Sequence, residues 1–219
     1  MADSLLKRAS EKFEYENFTE AIEIYEQLME VGFLQEEMLY RLAFMHEKKE
    51  NFSTSIYYLR KIQWEFGGKR IEEKIGLLME KANRERLSPG EVWTSYRLFL
   101  HHHYFSLTIL LGIVTFLSGT IFIRRLHEIL RAMGILSGFA AVLLGLALLE
   151  QFFFSPRLAV VMQNTAFYDA PAFGANFRSL PIGQGSTVII IDTQDVWHHI
   201  SMDQFDTWVP AFVVREIAD

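Results

Sequence analysis

A 34-residue internal repeat constrains the first third of this chain more than any other feature. Glu16-Asn17-Phe18 returns as Glu50-Asn51-Phe52, and the same shift superposes Leu5 on Leu39, Ala9 on Ala43, Ile22 on Ile56 and Leu28 on Ile62. In the first copy Leu5, Leu6, Ala9 and Phe13 recur at helical spacing before the tripeptide, and Phe18, Ala21, Ile22, Tyr25 and Leu28 do so after it. Each copy therefore predicts two amphipathic helices joined at the tripeptide. Asn17 suits that joint, since its side chain caps a following helix and tolerates left-handed dihedrals. Small residues at Ala9, Ala21 and Ala43 let neighbouring helices approach closely, so that the pairs stack.

A period of about 34 residues is the helix-turn-helix length of tetratricopeptide repeats, which the segment resembles. It departs from their pattern at Ser55, where alanine is usual, and at Glu16 and Glu50, where glycine is usual. Two units bury little core, and residues 69–86, with Ile71, Ile75, Leu78, Met79 and Ala82 on one face, read as the helix that closes the stack after Gly67-Gly68. The resemblance implies a concave wall formed by first helices, here Leu6, Ser10, Phe13, Glu37, Tyr40, Phe44 and Glu47. Helical aromatic stripes are more often core than ligand site, so Phe13, Tyr40 and Phe44 carry both readings. Leu6, Phe13, Tyr40, Phe44 and Glu47 are the expected partner-binding residues of this region.

Half of the chain is hydrophobic, which calls for a membrane test. Residues 104–123 and 132–149 carry no formal charge, and twenty helical residues match the roughly 30 Å hydrocarbon core. The expectation is a multidomain membrane protein: a helical repeat domain over 1–87, an interfacial segment and two transmembrane helices within 88–154, and a β domain over 155–219. Ser88-Pro89-Gly90-Glu91 reads as a helix start, and Gly134, Gly138 and Gly145 as a face for close packing of the two spans. Arg124, Arg125 and Arg131 crowd the connecting loop, a density that favours 124–131 on the cytoplasmic side with both flanking domains outside the cytoplasm. Such export needs a signal that the opening MADSLLKRASEKFEYE lacks, so either a signal was removed and Met1 replaces it, the favoured expectation, or the domains are cytoplasmic and the loop is exposed.

Charge and motifs narrow the function. The net charge is −6, and neither flanking domain has the basic surface that phosphates require, which excludes nucleic acid as partner. There is no cysteine. Nucleophile elbow, phosphate loop and zinc-protease motifs are all missing, so no catalytic residue, cofactor or metal is expected, and the chain reads as a non-enzyme. Neighbouring His101, His102 and His103 point about 100° apart on a helix and do not converge on one ion. Asp192, Asp195 and Asp203 read as solvated loop charges.

From Arg157 the pattern switches to period two, with short β-rich runs RLAVVMQ, DAPAFGANF, LPIGQG, STVIIID, VWHHISM and TWVP, which predict a five-stranded barrel. Leu180-Pro181, Gly185-Ser186-Thr187-Val188, Trp197 and Trp208-Val209-Pro210 resemble the landmarks of bacterial SH3 domains. The departure is Asp203-Gln204-Phe205-Asp206-Thr207-Trp208, where that family has a glycine-rich hairpin. Trp197 and Trp208 read as barrel core first and as a partner-binding groove second. The order of parts, with the opening ADSLLKRASEKFEYENFTEAIEIYEQLME, is similar to the BatE-type aerotolerance-operon proteins. That resemblance implies a membrane-anchored adaptor or scaffold of a bacterial envelope complex in the inner membrane, with both soluble domains periplasmic, the 124–131 loop cytoplasmic, and von Willebrand A-domain membrane proteins and a MoxR-type ATPase system as partners. The alternative is an envelope sensor or peptidoglycan-binding module acting through the barrel.

Overall fold

The computed structural model describes residues 2–68, 70–82, 103, 106–115, 117, 138–139, 142, 145–146, 149, 157–202 and 205–217. The N-terminal region folds into α1 (Ala2–Glu14), α2 (Phe18–Glu30), α3 (Glu36–Lys48), α4 (Phe52–Glu65) and α5 (Ile71–Lys81). Two antiparallel pairs, α1 with α2 and α3 with α4, follow the 34-residue shift, since α1 starts at residue 2 and α3 at residue 36. Ala9, Tyr25, Leu28, Leu39, Leu42 and Ile62 are fully enclosed between them.

The turns close differently from the expectation. The left-handed residue is the glutamate, with φ 56° at Glu16 and 59° at Glu50. The Asn17 amide donates to the Lys12 carbonyl at 2.9 Å and the Glu16 amide to Phe13 at 3.0 Å, and Asn51 and Glu50 repeat the pattern on His46 and Glu47. This two-bond helix stop normally uses glycine, which takes positive φ without steric cost; α2 ends the same way at Gly32, φ 78°. Neither asparagine caps the next helix through its side chain. Asn17 Nδ2 instead donates to Glu20 at 2.7 Å, and Asn51 Oδ1 accepts from Thr54 at 3.0 Å.

The C-terminal region is a seven-stranded antiparallel sheet and not a five-stranded barrel. Its strands are β1 (Arg157–Val161), β2 (Thr165–Tyr168), β3 (Phe177–Ile182), β4 (Thr187–Gln194), β5 (Trp197–Met202), β6 (Phe205–Pro210) and β7 (Val214–Glu216), in the order β3-β2-β6-β5-β4-β1-β7. The run DAPAFGANF, expected as a strand, is mostly the β2–β3 connection over 169–176; three alanines, a proline and a glycine leave it little cross-strand packing. Ala159, Val161, Val188, Ile190, Ile200 and Val209 form the core of one face.

On the opposite face, the β1–β4–β7 end lies against α4. Leu158 and Val160 are buried although they alternate with core residues, because the helix covers the face they occupy. Arg60 Nε donates to Thr187 at 3.1 Å, Lys61 Nζ to the Ile217 carbonyl at 3.2 Å, and Ser53 Oγ to the Met162 carbonyl at 3.4 Å. The Arg215 guanidinium lies 4.2 Å from the Tyr57 ring centre. Gly185, φ +88°, comes so close that a Cβ there would meet Ile56 Cδ1 at 2.9 Å. Residues 1–90 and 157–219 thus form one compact unit, across more than sixty intervening residues.

Residues 91–156 make up the second unit. Within it, helical residues 106–115 are described, and a Cβ on Gly145 would lie 3.8 Å from Leu111 Cδ2. The expected transmembrane hairpin is not upheld: among the described residues, no helix is long and apolar enough to cross a membrane. The longest described α-helix, α4 with 14 residues, reaches only about 21 Å, short of a hydrocarbon core. An uncharged stretch measures hydropathy and says nothing of how far one helix runs. The reading as a multidomain membrane protein, and with it the inner-membrane localisation and two-span topology, is corrected accordingly. Much of 104–123 and 132–149, the whole 124–131 loop and the helix start at 88–91 lie outside the described residues.

Candidate partner-binding groove

Three of the expected residues converge. Tyr40 and Phe44, one helical turn apart on α3, leave 43% and 41% of their surface exposed, and with Glu47 they line a cavity of about 390 Å³. Ala43 forms its floor, Leu59 of α4 and Ile71 of α5 form its apolar far wall, and Ser55, Arg70 and Lys74 complete it. Cavities of this size lie at the lower end of the roughly 300–1,000 Å³ typical of ligand pockets. The departure at Ser55 has a local reason: its hydroxyl donates to the Ala43 carbonyl at 2.8 Å, tying α4 to α3 beneath the opening.

Charge at the rim is ordered. Glu47 accepts from Lys74 at 2.7 Å and from Lys81 at 2.5 Å. Partial burial works against its charge, but the two ammonium groups outweigh it and hold the carboxyl below the ordinary range. Burial, reinforced by the Glu36 carboxylate, pushes the Tyr40 phenol up. Arg70 has no ion-pair partner among the described residues.

Phe13 joins this surface through Phe44, ring centres 5.9 Å apart, and Phe18 packs edge-on to Phe44 at 6.3 Å. Arg41 lies over Phe13 and Lys48 over Phe44, at 5.0 and 5.3 Å. Leu6 is half-buried on α1 and is not part of the cavity lining. The α5 contribution was missed from sequence, because charges on one face of a closing helix look like any hydrated surface.

Trp197 and Trp208 lie apart from the groove, on the sheet. Residues paired across antiparallel strands share a face, and the pairs Tyr168 with Trp208 and His199 with Trp208 put these rings opposite the face of Ile200 and Met202. Trp197 is buried, but under Tyr168 and Phe173, at 5.0 and 4.7 Å, and not in the core cluster. Trp208 is half-buried and stacks on His199 at 4.7 Å. Phe173, exposed for 65% of its surface, was not anticipated.

Other perturbed groups sit where α4 meets its neighbours. His46 stacks on Tyr58, its Nε2 has no hydrogen-bond partner among the described residues, and burial pushes its pKa down and favours the neutral ring. The Tyr58 hydroxyl donates to Glu26 at 2.6 Å, and burial followed by that carboxylate pushes its pKa strongly up. Among the described residues no group of three or more His, Asp or Glu is placed to hold a metal. No protein-family model, no curated protein and no solved structure matches the chain.

Proposed function

We propose that this protein is a non-enzymatic adaptor that holds a segment of a partner protein in the α3–α4–α5 groove. The observation carrying this reading is the pair Tyr40 and Phe44, large apolar side chains left about two-fifths exposed beside a ready cavity. Water contact of that kind is costly unless a partner relieves it. The perturbed groups His46 and Tyr58 support the same reading, since both are buried in packing, stacked on each other.

The aromatic face of the sheet serves as a second contact surface, and the peptidoglycan contact read from sequence would fall there, on Trp208 and Phe173. Von Willebrand A-domain proteins and a MoxR-type ATPase system, implied by the BatE resemblance, are the first partners to try. A photo-crosslinking side chain at position 40 and another at position 23, on exposed α2 surface, separate the outcomes. Position 40 is expected to capture one defined partner that position 23 does not. Equal or absent labelling from position 40 contradicts the reading.

A further inference from the structure

The groove selects by charge as well as by shape. We infer that its occupant is an acidic segment of a partner protein carrying a bulky apolar side chain, an inference that rests on the adaptor reading above. The chain as a whole is acidic, at −6, yet the surroundings of the groove are not. Arg70 and Lys74 line it, Lys81 lies on Glu47, and Lys48 and Arg41 lie over the rings of Phe44 and Phe13. Among the described residues, the carboxylates in contact with these cations or beside Tyr40 include three, Glu47, Glu37 and Glu36.

Two of the three are already committed. Glu47 is held by two lysines and Glu37 by Arg41 at 2.6 Å. What faces an incoming ligand is therefore an apolar cup of Tyr40, Phe44, Leu59 and Ile71 rimmed by Arg70, whose guanidinium is unpaired among the described residues. Guanidinium is the group best shaped for two parallel bonds to a carboxylate. A basic segment would meet Arg70 and Lys48, with Glu36 alone among these carboxylates left to receive it, and like-charge contact is the stronger discriminator.

The test uses the full chain and three fluorescent ten-residue peptides: glutamates flanking one phenylalanine, lysines flanking one phenylalanine, and glutamates flanking alanine. Polarisation is expected to detect only the first. Its affinity should fall about tenfold with Arg70→Glu and by a similar factor with Phe44→Ala, and weaken as salt rises. Lysine-peptide binding as tight as the glutamate peptide, or indifference to Arg70→Glu, overturns the inference; if Phe44→Ala still weakens binding, the groove reading survives. No binding of the glutamate–phenylalanine peptide up to about 1 mM overturns the inference too, and crosslinking from position 40 then decides the adaptor reading separately.

Discussion

α2 and α4 hold the same place in successive helix pairs but meet different surroundings. α2 buries Ala21, Ile22, Ile24, Tyr25 and Leu28, leaving Thr19, Glu23, Gln27 and Glu30 exposed and the others half-buried, whereas α4 is buried at every position from Ser53 to Gln63. The 34-residue shift shows which residues make the difference: Glu23 becomes Tyr57, Glu26 becomes Arg60, and Gln27 becomes Lys61. Those three α4 side chains reach Arg215, Thr187 and Ile217 of the β region. Where a repeat copy exchanges its hydrated residues for an aromatic ring and long cations, it marks a face that another part of the chain covers. Arg and Lys suit such a seam because their stems pack while their heads find acceptors. α4 then has two roles, since Ser55 and Leu59 line the groove and Tyr57, Arg60 and Lys61 hold the sheet.

Tyr57 marks the difference between the two helices most strongly, being 2% exposed. Tyr57→Ala is expected to destabilise the protein by about 3 kcal/mol in urea unfolding, through cavity formation and loss of the Arg215 contact. Glu23→Ala, at the matching position of α2, should stay within about 0.5 kcal/mol. Equal effects at the two sites would erase the distinction.

Gly185 gives the next largest effect. A methyl there must accept φ +88° and displace Ile56 Cδ1, at a cost of about 2 kcal/mol. In an Ile56→Val background the cost should shrink by about 0.5–1 kcal/mol. Ile22→Val, the α2 counterpart, should leave it unchanged.

Acid pH distinguishes the two regions next. Burial holds His46 neutral, its pKa below the ordinary 6.5, and His198 in the sheet is shifted the same way. The unfolded chain therefore takes up protons that the folded chain refuses, so stability is full above about pH 6.5 and falls as pH drops below it. His46→Leu should flatten that acid limb relative to the original protein. An unchanged slope would mean His46 is solvated.

The smallest effect concerns the two matched turns. Glu16→Gly and Glu50→Gly each remove the steric cost of positive φ, partly offset by the added freedom of the unfolded chain, and should raise stability by about 0.5 kcal/mol. A loss at either turn would contradict the left-handed geometry.

The helices of the N-terminal region were legible because a period of apolar residues acts locally, through the 3.6-residue turn. Strands at 165–168 and 214–216 were not, since four and three residues carry too little alternation to register. Phe13, Tyr40, Phe44 and Glu47 could be nominated from the concave-face rule, but Arg70 could not, because its role depends on where α5 lies against α3. The contact of α4 with the sheet was invisible for the same reason: Arg60 and Thr187 are 127 residues apart, and no local pattern names a distant partner. The uncharged runs at 104–123 and 132–149 predict spans from hydropathy alone, whereas among the described residues no helix is long and apolar enough to cross a membrane.

Native-state hydrogen exchange tests the shared role of α4 most directly. The amides of residues 55–63 and those of 158–161 and 187–190 are expected to open with one common free energy, and Tyr57→Ala should lower all three sets together. Sheet amides that keep their protection while those of α4 lose theirs would show two independent bodies and contradict the account.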